Sequence, residues 1–127
     1  MLYKVVIVDD HPIFREGLVH LVESIKNMSV IGQANNGLEA IKICRDYQPD
    51  LVILDVSMPK MRGTEALIKI KEASPSSVIL VLSQYEQTDY VKHSLKHGAS
   101  GYLLKQSAAE ELETAIKKVL AGDVYLS

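Results

Sequence analysis

Leu51-Val52-Ile53-Leu54-Asp55 is the stretch from which the fold is read. Four consecutive apolar residues make a strand that is apolar toward both faces, as in the middle of a covered sheet. A carboxylate follows at its exit, and Ser57-Met58-Pro59 then turns the chain away. A carboxylate at a buried edge is costly without a compensating partner, so its placement points to chemistry. The first apolar run, Val5-Val6-Ile7-Val8, ends the same way, on Asp9-Asp10. If these two strands are neighbours, three carboxylates meet at one edge of the sheet.

Working outward, short β-rich runs alternate with helical patterns through the whole chain. The strands are expected at Tyr3 to Val8, Ser29 to Ala34, Asp50 to Leu54, Val78 to Leu82 and Ser100 to Leu103. The first helix opens on Pro12, a favoured first-turn residue, and its stripe is Phe14, Gly17, Leu18, Leu21, Val22 and Ile25. The second starts at Asn36 with Glu39 three residues on, a capping box, and is expected to bury Leu38, Ile41, Cys44 and Tyr47. The third runs from about Thr64 to Ala73, and the fourth from about Gln87 to Lys96 with Gly98 as its left-handed end. The fifth opens on a second capping box, Ser107 to Glu110, carries Leu112, Ala115, Ile116, Val119 and Leu120, and stops at Gly122. Five βα units without a low-complexity segment predict an α/β domain, a doubly wound five-stranded parallel sheet with five helices.

Bulk properties fit one domain and exclude several functions. The chain has 127 residues, 47% hydrophobic and 24% charged, with a net charge of −2, and a pI near 6.1. That balance gives no electrostatic footprint for a nucleic-acid backbone. The single Cys44 forms no internal disulfide and no Cys-rich metal site. No apolar run reaches the roughly 20 residues needed to cross a bilayer, and Met1-Leu2-Tyr3-Lys4 lacks a signal-peptide layout. A cytoplasmic protein with no membrane partner is the expectation.

In doubly wound sheets ligands sit beyond the carboxyl ends of the strands. Asp9, Asp10, Asp55, Ser83 and Lys105 all fall just past such an end. Carboxylates 4 Å apart repel by roughly 4 kcal/mol per pair at an effective dielectric of 20, so either one is protonated or a cation neutralises them. Oxygen donors favour a hard ion, and a half-open site favours Mg2+ over Ca2+. Lys105 adds a mobile positive charge and Ser83 a hydroxyl. Together these make a phosphoryl-transfer site with Asp55 as nucleophile. Each residue also has a plainer reading: Asp55 or Asp10 as a turn or helix cap, Ser83 as the fourth helix's cap through Glu86, Lys105 as a solvated lysine, Tyr102 as core. His11, His20, His93 and His97 read as surface residues without metal spacing.

The chain resembles a two-component response regulator receiver domain over nearly all its length. Asp9-Asp10 resembles that family's acidic pair, Asp55 its phosphoacceptor, Ser83 its switch hydroxyl, Lys105 its lysine and Tyr102 its switch aromatic. Asp9-Asp10-His11-Pro12 with Arg15-Glu16-Gly17-Leu18, and Gly98-Ala99-Ser100-Gly101-Tyr102-Leu103-Leu104-Lys105, resemble the LuxR-type (NarL-like) branch. The resemblance implies a flavodoxin-like strand order 2-1-3-4-5. It implies Mg2+ held by Asp10, Asp55 and the Ser57 backbone carbonyl, with Asp9 helping through water. It implies a sensor histidine kinase whose phosphohistidine donates to Asp55, after which Ser83 and Lys105 are drawn in and Tyr102 turns inward. The face built from the fourth helix, fifth strand and fifth helix then changes, with dimerisation as one output. The domain is expected over 1–121, with 122–127 starting a linker to a C-terminal helix-turn-helix through which alone DNA would be bound. Gln106 stands where many receivers carry proline, and Ser57 and Tyr85 occupy positions that tune phosphoryl lifetime.

Two enzyme or binding alternatives fit less well. An aspartyl phosphohydrolase typically has Asp-x-Asp at one strand exit and a cap domain, whereas this chain has adjacent aspartates and no room for a cap. A flavodoxin-like nucleotide binder needs a Gly- or hydroxyl-rich loop after the first strand, and Asp9-Asp10-His11-Pro12 would repel phosphate. A phosphorylation-independent interaction domain is disfavoured by the complete acidic set and Lys105.

Overall fold

The structure, a computed structural model, describes residues 2–57, 63–84 and 88–126, with the backbone alone for residues 63, 64 and 88. The turn expected at Met58-Pro59, and Tyr85, Glu86 and Gln87, lie outside the described residues. Chain order is β1 (Tyr3–Val8), α1 (Pro12–Glu23), β2 (Met28–Ala34), α2 (Gly37–Tyr47), β3 (Leu51–Asp55), α3 (Gly63–Ala73), β4 (Val78–Ser83), α4 (Thr88–Lys96), β5 (Gly101–Leu104), α5 (Ala108–Leu120) and β6 (Tyr125–Leu126). The strands make one parallel sheet in the order β2-β1-β3-β4-β5-β6. The expected doubly wound order is therefore present, with a sixth short strand added. Residues 122–127, expected to start a linker, include β6, in which Tyr125 pairs with Gly101 and Leu126 with Tyr102.

Strand residues alternate between two cores, as the period of two requires. Val6, Val8, Val52, Leu54, Ile79 and Val81 face one core with Ile41 and Cys44 of α2 and Leu67 and Ile70 of α3. Val5, Ile7, Leu51, Ile53, Leu80 and Leu82 face the other with Leu18 and Val22 of α1 and Leu112 and Ile116 of α5. Both faces of the central strands are covered, which is why those runs are apolar throughout. No helix among the described residues is long and apolar enough to cross a membrane.

The helix readings hold in part. Asn36 caps α2, accepting from the Glu39 backbone N–H at 3.0 Å, while Glu39 Oε1 accepts from Asn35 rather than from Asn36. The buried stripe of α2 is Gly37, Ala40, Ile41 and Cys44. Leu38 is 67% exposed because it lies one residue, about 100° around the helix, from Gly37. Tyr47 is also exposed, at 58%, beside the left-handed Gln48 that turns the chain toward β3. Gly17 faces solvent. The box expected from Ser107 to Glu110 is replaced by a 3-10 turn, Lys105–Ser107, which leaves Ser107 without a side-chain capping bond. Gly98 and Gly122 take positive φ and end α4 and α5 as expected. At Gly101 a Cβ would lie 2.8 Å from Leu80 Cδ1 and 3.1 Å from the Tyr125 carbonyl oxygen, so glycine is what lets β6 close on β5.

Cys44 occupies the expected core position with no exposure, and burial pushes its thiol pKa from 9.0 up to about 11. Iodoacetamide at pH 8 is expected to leave it unmodified in the folded chain while labelling it readily in urea. The folded pKa lies above the unfolded one, so the thiol's contribution is intact below pH 9 and lost as pH rises from about 9 to about 11. Unfolding curves of wild type and Cys44→Ala across that window check the sign: wild type loses stability relative to the variant.

Candidate functional site

The register of β1 on β3 builds the site. Ile7 is paired with Ile53 and Val8 with Leu54, so the next step on each strand sets Asp9 beside Asp55. Both continue the side-chain parity of the α1/α5 face, and Lys105 continues that of Leu103. Asp9 and Asp55 are fully buried. Lys105 Nζ bridges them, 3.2 Å from Asp9 Oδ2 and 2.9 Å from Asp55 Oδ2, with its side chain 11% exposed. The ammonium also lies 4.7 Å from the centre of the Phe14 ring. Burial acts to lower the Lys105 pKa, but the hydrogen bond and charge of Asp55, reinforced by Asp9, outweigh it and raise it. Lys105 is thus a fixed positive charge at neutral pH.

Backbone groups hold the carboxylates from below. The Ser57 N–H donates to Asp55 Oδ1 at 2.8 Å and the His11 N–H to Asp9 Oδ1 at 2.8 Å. Arg15 Nη1 donates to the Asp9 carbonyl at 2.7 Å and to Asn35 Oδ1, and Nε donates to Gln33 Oε1 at 3.1 Å. Arg15 thereby ties the exit of β1 to that of β2. Asp10 does not cap α1, whose N-cap is His11 without a side-chain bond.

His11 is the residue the sequence reading missed. Its Nδ1 lies 3.1 Å from both Asp9 Oδ1 and Asp10 Oδ1, 4.0 Å from Asp55 Oδ2 and 3.3 Å from Lys105 Nζ. It belongs to the acidic cluster, although its ring is half exposed. The available signal was adjacency: it directly follows Asp9-Asp10 at a strand exit.

The remaining expected residues are placed as follows. Ser83 ends β4, fully buried, opposite Leu104 of β5. Tyr102 is 2% exposed and packs in the core with Val81 and Ala99, so the aromatic expected to turn inward is already inside. The Lys105–Gln106 peptide is trans. Above the acids lies an open depression lined by His11, Ile13, Phe14, Gln84, Lys105 and Gln106.

The donor set suits a divalent cation. Ligand atoms of Asp9, Asp10, His11 and Asp55 lie within 4.8 Å of one another. Asp9 Oδ2 and Asp55 Oδ2 are buried with the Lys105 ammonium as their shared partner, and Asp10 Oδ1 is buried 3.1 Å from His11 Nδ1. Three carboxylates facing one ammonium leave an excess that a doubly charged ion cancels, and oxygen donors suit Mg2+.

The response regulator receiver domain family matches residues 5–117. The chain is 39% identical to the nitrate/nitrite response regulator protein NarL of Escherichia coli (strain K12), over 97% of this chain and 57% of that protein. It is 38% identical to the transcriptional regulatory protein DegU of Brevibacillus brevis, over 97% of this chain and 52% of that protein. It spans little more than half the length of these relatives. A solved two-component response regulator of the LuxR family from Aurantimonas sp. SI85-9A1 superposes with a TM-score of 0.94 at 33% identity, covering 100% of this chain and 91% of that one. The isolated REC domain of RcsB from Salmonella enterica serovar Typhimurium, solved with the phosphomimetic BeF3-, gives 0.91 at 27% identity, covering 100% and 94%.

Proposed function

This chain belongs to the response regulator receiver domain family, in its LuxR-type (NarL-like) branch, and we propose that it takes a phosphoryl group onto Asp55 from the phosphohistidine of a sensor histidine kinase. The observation that carries the reading is the buried pair Asp9 and Asp55 bridged by one Lys105 ammonium under an open depression. An Asp55 oxygen forms the new P–O bond as the P–N bond breaks, and the departing imidazole keeps the electron pair. The Ser57 N–H fixes one Asp55 oxygen and Lys105 the other, so the nucleophile is held by groups that cost no reorganisation. Asp10, Asp55 and the Ser57 carbonyl are the groups that would hold Mg2+, with Asp9 acting through water; bound there, the ion neutralises the carboxylates and the phosphoryl oxygens.

Lys105 then trades Asp9 and Asp55 for phosphoryl oxygens, and Ser83, at the end of the neighbouring strand, donates its hydroxyl to the same group. Ser83 lies opposite Leu104 across β4 and β5, and Tyr102 pairs with Val81, so a shift at Ser83 is felt by the α4-β5-α5 face. Residues 1–121 form the receiver and 122–127 lead toward a DNA-binding domain, with phosphorylation favouring a homodimer.

Adding BeF3- and Mg2+ and recording amide spectra tests the reading. Resonances of Ser57, Ser83, Tyr102 and Lys105 are expected to shift, and to stay in place with BeF3- and EDTA. A spectrum indifferent to BeF3- and Mg2+ together would contradict it.

A further inference from the structure

We propose that His11 is a nitrogen ligand in the acidic pocket, so that the site takes borderline divalent transition ions such as Co2+, Ni2+ and Zn2+ through the His11 imidazole together with the carboxylates of Asp9, Asp10 and Asp55. The inference rests on the reading of the pocket as a divalent-cation site, adds the His11 donor to it, and makes Asp9 a direct ligand of these ions where it acts on Mg2+ through water.

Spacing is the first argument. Donors about 2.1 Å from one ion lie about 3.0 Å apart when adjacent and about 4.2 Å apart when opposite. His11 Nδ1 is 3.1 Å from Asp9 Oδ1, 3.1 Å from Asp10 Oδ1 and 4.0 Å from Asp55 Oδ2.

Hydrogen bonding alone reproduces some of these distances, but it cannot satisfy all of them at one atom. The two carboxylates need a proton on Nδ1, whereas the Lys105 ammonium, 3.3 Å away, brings a donor to that same nitrogen and needs its lone pair. No tautomer meets both demands. With the proton on Nε2, a cation among Nδ1 and the carboxylate oxygens, whose ligand atoms lie within 4.8 Å of one another, would give each of them a partner. The half-exposed ring leaves Nε2–H to solvent.

Placement is fixed by the backbone. His11 is the N-cap of α1, and its N–H is anchored on Asp9 Oδ1 at 2.8 Å. Asp9 Oδ2 and Asp55 Oδ2 sit on fully buried side chains and share the single Lys105 ammonium, so three carboxylates face one fixed positive charge. An imidazole in the donor set favours borderline ions more than it favours Mg2+, which prefers oxygen and keeps its waters.

The test is titration of the 127-residue chain with Co2+ and, separately, with Mg2+, by calorimetry and proton NMR. Wild type is expected to show a hyperfine-shifted, solvent-exchangeable imidazole N–H proton with Co2+. His11→Ala should lose that signal and bind Co2+ at least about tenfold more weakly, while Mg2+ affinity changes by less than about threefold. The signal should persist in His93→Gln, which breaks the His93–His97 ring pair at the C-terminal end of α4, where two imidazoles meet. Co2+ bound without the signal, a signal lost in His93→Gln, or tighter Co2+ binding by His11→Ala (the imidazole then being a competitor of the ion) would each overturn the proposal. If wild type binds Co2+ but not Mg2+, His11 stands as ligand and the Mg2+ reading fails. If Mg2+ binds without any imidazole signal from Co2+, only the present inference fails.

Discussion

Asp55→Asn is expected to lower phosphoryl uptake from acetyl phosphate by at least about a thousandfold, because it removes the attacking oxygen while leaving the rest of the pocket in place. The fold should hold. Asparagine keeps an oxygen to accept the Ser57 N–H, now made at 2.8 Å. The lost attraction to Lys105 at 2.9 Å is offset by relief of repulsion from Asp9 and Asp10, whose ligand atoms lie within 4.8 Å. Each such repulsion is about 3–4 kcal/mol at an effective dielectric of 20, against about 6 for the lost attraction. Uptake and thermal unfolding of the variant, measured in EDTA and in Mg2+, separate the two effects. Labelling at the wild-type rate would remove Asp55 from its assigned role, whereas collapse of the fold would show that the carboxylate is structural.

Lys105→Met tests the opposite side of the pocket. The methionine keeps the packing volume and deletes the ammonium shared by Asp9 and Asp55. Leaving buried charge without its partner typically costs about 3 kcal/mol or more, and the 11% exposure of the lysine side chain leaves little solvent screening. In EDTA the variant is expected to unfold at lower urea concentration by about that free energy, and Mg2+ should restore much of the loss. Urea titrations with and without Mg2+ check this. Equal stability of variant and wild type in EDTA would mean that the bridge contributes nothing to holding the carboxylates together.

The sheet and the meeting of Asp9, Asp10, Asp55 and Lys105 at one edge were legible because they follow from local rules. Apolar runs of four residues, each ending on an acid, define β1 and β3, and the period of two then places Asp9 and Asp55 on one face. The position of Lys105 follows from the same parity on β5. What stayed illegible depends on angles and long-range closure. The α2 stripe was centred one residue off, which put Leu38 inside when Gly37 is the residue that packs. Strand β6 is two residues long and exists because Gly101 leaves room beside Leu80 and Val119, a fact of packing with no local signature. His11 read as a surface histidine because the four histidines are scattered without metal spacing, and it is the backbone turn at Asp9 that brings its Nδ1 to the acids.

The central claim is that Asp55, with a divalent cation, is where the chain accepts a phosphoryl group. Intact-mass spectrometry of the chain after incubation with acetyl phosphate and Mg2+ tests it most directly. The expected result is a gain of one phosphoryl group that is labile to base and hydroxylamine, and that is absent with EDTA. An unchanged mass in Mg2+, under conditions where a receiver of established activity is labelled, would contradict it, as would an adduct that forms equally well with EDTA.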